Sequence, residues 1–187
     1  MILLSYVKYA EENLTKVIKK WNLYYDRELV TKVLFHTLLK EVPSYDIDTE
    51  VKIKVYDGKI YRKSIYADLI LTEIAPNKAK QNRFVFKFKS KGVNFLDLNV
   101  GSITKSWEVL EEKAKKVRMI PIEDLRQLKC SNLEKYDKDK SVQDILNNGR
   151  EQVLNYVRNL DDKNDYHTSA FVVMSVGSRR VVWDKAC

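Results

Sequence analysis

The sequence predicts an α/β (α+β) domain, a central mixed sheet of about five strands flanked by helices. Three observations predict it. Apolar residues recur at helical spacing near the start of the chain, alternate at strand spacing through its middle, and return to helical spacing before two closing apolar strands. The length of 187 residues suits one domain with a real core. Hydrophobic residues at 44% and charged residues at 32% are ordinary for a globular chain.

Leu14, Val17, Ile18 and Trp21 predict an amphipathic helix from Ser5 to about Trp21. A second helix is predicted over Asp26 to Glu41. Val30, Val33, Leu34, Leu38 and Leu39 form its apolar stripe, and Pro43 stops it. Val51, Ile53 and Val55 alternate with Lys52, Lys54 and Tyr56, the pattern of a half-buried strand. Asp57-Gly58 is a turn signal. From about Tyr61 to Thr72, the near-continuous apolar run around Asp68 reads as a central strand buried on both faces. Ala75 to Asn82 is a polar loop. Arg83 to Lys89 is a third strand, with Phe84, Phe86 and Phe88 on one side and Val85, Lys87 and Lys89 on the other.

Ile103, Trp107, Leu110, Ala114 and Val117 then predict a helix, and Pro121 opens a shorter one to about Leu128. Ser131 to Lys140 is a charged loop. Ser141, with Asp144 three residues on, forms an approximate capping box for a long helix to about Leu160. Asp161 to Asp165 is a polar turn. Ala170 to Val176 and Arg179 to Trp183 are strands joined by Gly177-Ser178. The expected organisation is a single domain over 1–187, with a helical extension at 1–25 and a helical insertion at 91–140.

No apolar run approaches a membrane span, and Met1 to Leu4 is too short for a signal-peptide core. Cys130 and Cys187 lie far apart, which argues against a structural disulfide and for a reducing compartment, cytoplasmic or nuclear. His36 and His167 make no zinc spacing with them. The net charge of +8 favours nucleic acid, an acidic protein or an anionic surface as partner, and with no apolar span a membrane is not expected as one. The run Lys113, Lys115, Lys116, Arg118 is a phosphate-contacting candidate and reads equally well as a solvated helix face.

The chemistry gathers around Asp68. Residues two apart in a strand share a face, so an acid-x-lysine strand aims a carboxylate and an ammonium at one point. An aspartate on the neighbouring strand reaches the same point. Two such carboxylates hold magnesium or manganese, and the metal activates water against a phosphodiester. Here Asp68 supplies the aspartate and Lys89 the lysine, but Lys87 stands where the second acid belongs. An ammonium repels a cation rather than binding it. Two lysines beside Asp68 therefore predict a salt-bridged remnant.

This pattern resembles the PD-(D/E)xK nuclease superfamily, over roughly Asp26 to Trp183. The resemblance implies a restriction-endonuclease-like fold. It also implies a helical glutamate before the strands, matched by Glu28, and a Gln-x-x-x-Tyr helix, matched by Gln152 and Tyr156 after Arg150. Within that superfamily the chain looks like the degenerate nuclease-like domains of cytoplasmic-incompatibility and selfish toxin proteins of intracellular bacteria. That likeness implies a pseudo-nuclease needing no cofactor. It would bind nucleic acid (DNA before RNA) through Lys87, the 113–118 run, Arg150 and Tyr156, or bind a cognate antidote protein, and could be delivered into a host cell as a piece of a larger chain. Asp68, Lys89 and Gln152 would then be vestigial catalytic residues. The alternative it leaves open is an active Mg2+- or Mn2+-dependent DNase, with Asp68 joined by Glu28 or Glu50 as relocated metal ligands.

Overall fold

The computed structural model describes residues 28–40, 44–57, 59–74, 79–98, 106–130, 140–160, 165–177 and 179–187. The expected helix at 5–21, Ile103, Gly58, Ser178, half of the expected loop at 75–82 and most of those at 131–140 and 161–165 lie outside these residues. The elements in chain order are α1 (Glu28–Leu39), β1 (Tyr45–Asp57), β2 (Ile60–Glu73) and β3 (Gln81–Lys91). A 3-10 turn (Val93–Phe95), α2 (Trp107–Met119), α3 (Ile122–Gln127), β4 (Lys129–Cys130) and β5 (Lys140–Ser141) follow. The chain closes with α4 (Val142–Arg158), β6 (Tyr166–Val176) and β7 (Arg180–Lys185).

The fold is α+β, with a mixed five-stranded sheet in the order β1-β2-β3-β6-β7 flanked by helices. A second, two-stranded sheet joins β4 to β5. The sequence did not foresee this small sheet, because two-residue strands carry no periodicity. No helix among the described residues is long and apolar enough to cross a membrane. Among the described residues, chain contacts divide the molecule into two compact units, with the boundaries at Thr31/Lys32, Phe88/Lys89, Asn147/Asn148, Val173/Met174 and Val182/Trp183; the stretches ending at Thr31, Asn147 and Val182 form the first unit and the rest the second.

The second unit is built on the β1–β2 hairpin. Its register runs from Tyr45↔Glu73 to Val55↔Lys63, then shifts so that Tyr56 faces Tyr61. That shift leaves Arg62 as the extra residue of a bulge. Ile53 is buried and Val51 and Val55 are half-buried, while Lys52 and Lys54 are exposed, as the alternation predicts. Ala67 to Leu71 is buried throughout, the signature of an inner strand. An aromatic chain fills the core: Phe35 lies 5.3 Å from Phe88, Phe86 5.6 Å from Phe171, and Phe171 6.1 Å from Trp183. The C-terminal residues add pairing beyond the last strand, where Ala186 donates to the Ala170 carbonyl at 2.7 Å.

In the first unit the end of α2 lies against the β6–β7 turn, with the Val117 methyls beside Gly177. Leu110, Ala114 and Val117 are buried along one face of α2, and Val142 and Leu146 along α4. The expected capping box is present. The Ser141 amide donates to Asp144 Oδ2 at 2.8 Å, and the Asp144 amide donates to Ser141 Oγ at 3.1 Å. Arg180 Nη1 donates to the carbonyls of Arg118 and Ile120 at 3.2 and 2.6 Å, satisfying the end of α2. Cys130 is buried and Cys187 exposed, and both are free thiols.

The buried face of α1 differs from the expected stripe. Val33 is exposed, and Thr31, Phe35 and Leu39 form the buried line at i, i+4 and i+8. The side chains of Val30, Leu34 and Leu38 lie outside the described set. Apolar residues surround much of this helix, so composition did not single out one face. Burial of Phe35 against Phe88 did.

Candidate functional site

Asp68 sits where three elements of one unit meet. It is 5% exposed. Its neighbours along β2 are apolar, so burying its charge demands compensation. The compensation is complete on one oxygen: Oδ2 accepts from Lys87 Nζ at 2.7 Å and from the Phe88 backbone amide at 2.8 Å. The other oxygen, Oδ1, lies 3.7 Å from Lys32 Nζ on α1. Lys32 is also ion-paired with Oε1 of Glu50 on β1.

Strand register explains the meeting. β2 pairs with β3 from Leu69↔Phe86 to Thr72↔Arg83, which puts Lys87 opposite Asp68 one step further on. There a side-chain carboxylate takes the Phe88 amide. On the other flank, Thr49↔Leu69 and Val51↔Ala67 bracket Glu50 and Asp68 as opposite residues. Glu50 has φ of 53°, the left-handed region that non-glycine residues enter at a cost of about 1–2 kcal/mol. Non-glycine residues held there cluster at functional sites.

The chemistry of this cluster is that of a neutralised acid. Two ammonium groups with side chains 12% exposed flank one buried carboxylate, and a second carboxylate 60% exposed completes a charge balance of zero. A hard dication needs carboxylates turned toward a common centre. Here the centre beside Asp68 belongs to Lys87. Among the described residues, no three His, Cys, Asp or Glu side chains gather as a ligand set. In this arrangement Lys32 and Lys87 neutralise Asp68 and Glu50.

The other expected residues are placed as follows. Lys89, two residues past Lys87, is half-buried, as is Glu28 in the first turn of α1. Gln152 donates its Nε2 to Asn148 Oδ1 at 2.9 Å, one turn back on α4. Tyr156 is buried. Arg150 is exposed. Of the basic run on α2, Lys115, Lys116 and Arg118 are exposed, and Lys115 lies 4.0 Å from Glu111. Lys113 is 4% exposed, on the buried face with Leu110, Ala114 and Val117. Three- and four-residue helical spacing from Leu110 and Val117 was the signal for that burial.

Lys32 is the member of the cluster that sequence reading missed. It lies one turn after Glu28 on the same helix, a spacing that places the two on one face. Neither a family model, nor a curated protein, nor a solved structure matches the chain.

Proposed function

We propose that this chain is a catalytically degenerate PD-(D/E)xK-type domain that acts by binding nucleic acid, DNA before RNA. The observation that carries this reading is the Lys87 ammonium 2.7 Å from the Asp68 carboxylate. In an active site of this type a second carboxylate stands at that strand position and shares a metal with the aspartate. A lysine there fills the same space with fixed positive charge. Paired with Asp68, it removes the means to hold a shared metal and activate water. The net charge of +8 supports the same reading, since phosphate contacts dominate nucleic-acid affinity.

The test has two parts. Purified protein is incubated with supercoiled plasmid and Mn2+ beside an Asp68→Ala control, and binding to labelled DNA is followed across a salt series. The expected result is no nicking above the control, with affinity that falls steeply as salt rises. Metal-dependent nicking abolished by Asp68→Ala would overturn degeneracy. It would favour an active DNase with Glu50, which faces Asp68 across β1 and β2, as the relocated ligand. No binding even at low salt would overturn the nucleic-acid role.

A further inference from the structure

The β1–β2 hairpin carries a surface that the Asp68 cluster does not account for. The β2–β3 pairing stops at Leu69, while the β1–β2 pairing continues from Val51↔Ala67 out to Asp57↔Ile60. The outer hairpin is thus a two-stranded arm. Of the eight exposed large hydrophobic side chains among the described residues, four sit on it: Tyr56, Ile60, Tyr61 and Tyr66. Scattered single exposures need no explanation, but a concentration of this kind marks a contact surface.

Three of those four side chains, the tyrosines, share one face. Alternation along β1 puts Glu50, Lys52, Lys54 and Tyr56 on a single side, opposite Asp68, Tyr66, Ser64 and Tyr61 of β2. The rings of Tyr56 and Tyr61 meet edge to face, with centroids 6.1 Å apart. The Tyr61 hydroxyl and Ser64 Oγ are 3.0 Å apart, which braces the ring beside Lys54's partner. Tyr56, Tyr61 and Tyr66 are 46%, 53% and 49% exposed, so about half of each residue is open to solvent. Between Lys52 and Tyr66 the chain holds five basic residues and one acid, a net +4. One of the five, Arg62, is ion-paired with that acid, Asp57, at 2.7 Å.

We infer that this face is a platform for single-stranded nucleic acid, with bases stacking on Tyr56, Tyr61 and Tyr66 and phosphates running along Lys52 and Lys54. Exposed aromatic rings interleaved with lysines are the elements of such platforms. Successive same-face residues on a strand lie about 6.7 Å apart, roughly twice the 3.4 Å rise per phosphate of a stacked strand. That spacing suits a strand drawn out of its stack. A duplex keeps its bases inside and leaves the rings nothing to stack on. The platform runs inward from the hairpin tip to Glu50 and Asp68, where Lys32 and Lys87 cancel the two acids. A phosphate chain laid along it meets no net negative charge at its inner end.

This inference rests on the nucleic-acid reading and names its ligand and its surface. The experiment is fluorescence anisotropy with labelled oligo-dT, oligo-rU, a DNA duplex and a polyglutamate competitor. Variants are Tyr56→Ala, Tyr61→Ala, Tyr66→Ala, the matching phenylalanines, and Lys52→Ala with Lys54→Ala. Each alanine is expected to weaken single-strand binding about 5- to 150-fold, while each phenylalanine stays close to the native affinity. The double lysine variant should lower the slope of log affinity against log salt by about 1.4. Native-like affinity in all three alanine variants, with strong binding by the native chain, would overturn the platform and leave the nucleic-acid reading standing. No binding of any oligonucleotide by the native chain would overturn both. Tighter binding of duplex than of single strand, or displacement by polyglutamate as effective as by oligo-dT, would overturn the single-strand assignment.

Discussion

Oδ2 of Asp68 accepts two donors at once, the Lys87 ammonium at 2.7 Å and the Phe88 amide at 2.8 Å, and so ties the end of the β2–β3 ladder to a side chain. Removing that carboxylate takes away the acceptor of the Phe88 amide and the partner 2.7 Å from the largely buried Lys87 ammonium, and leaves Lys32 to Glu50. Breaking a buried pair from one side costs about 3–5 kcal/mol. Asp68→Ala is expected to fall in that range by urea denaturation. Asp68→Asn, which can still accept from Phe88, should cost less. A loss below about 1 kcal/mol for the alanine would show that the lysines relax into solvent and that the cluster contributes little.

Glu50 offers a test in which the usual ranking of residues reverses. Glycine inside a strand is normally worse than alanine by about 0.5–1 kcal/mol. At φ of 53° the order should invert, because alanine carries a Cβ into the left-handed region and glycine does not. Glu50→Gly is expected to be about 1 kcal/mol more stable than Glu50→Ala in thermal or urea unfolding. Equal stabilities would mean the backbone there is not held in that conformation. Loss of the Lys32 partner is common to both variants and drops out of the comparison.

Gly177 turns β6 into β7 at φ of 58°. A Cβ built there would meet Val117 Cγ2 at 3.2 Å, Val117 Cγ1 at 3.3 Å and Leu96 Cδ1 at 3.4 Å. Gly177→Ala therefore adds a tight contact to an unfavourable backbone, and a loss of about 1–3 kcal/mol is expected. Val117→Ala in the same background should recover part of the loss by opening space. If the double variant is simply additive, the contact with Val117 is not the cause.

Asp144 predicts a pH dependence. Its carboxyl is held below the ordinary 3.8, first by the Ser141 backbone amide and then by the Ser141 hydroxyl. A folded pKa below the unfolded one contributes stability that is present above the unfolded value and is lost as pH falls through the folded value. Asp144→Ala should therefore destabilise the chain at neutral pH. The gap between variant and native protein should close in acid well below 3.8. Unfolding midpoints measured at both pH values check this, and a gap of the same size in acid would contradict the capping role.

Much of this was legible from residue order. Alternation at Val51, Ile53 and Val55 marked the buried face of β1, and Ser141 with Asp144 marked the start of α4. Both signals are local: the strand repeats every two residues, and the cap closes over three. The exposure of Val33 and the burial of Lys113 were hidden for a shared reason. A helix rich in apolar residues, or one carrying a lysine run, does not declare which stripe faces the core until a partner packs on it. The two-residue strands β4 and β5 were too short to carry any period.

The sequence by itself determined the type of each longer helix and strand among the described residues, the alternating faces of β1 and β3, and the lysine at position 87 where the resemblance expects an acid. Which groups Lys87 meets was decided only by tertiary structure. Register between β2 and β3 set it opposite Asp68, and α1 brought Lys32 to the carboxylate's other oxygen. The open tyrosine face is likewise a tertiary result, because it exists where β3 stops pairing with β2. Periodicity is a property of one segment and its own backbone. Where a ladder ends, and what then fills the space beside it, depends on residues far apart in the chain.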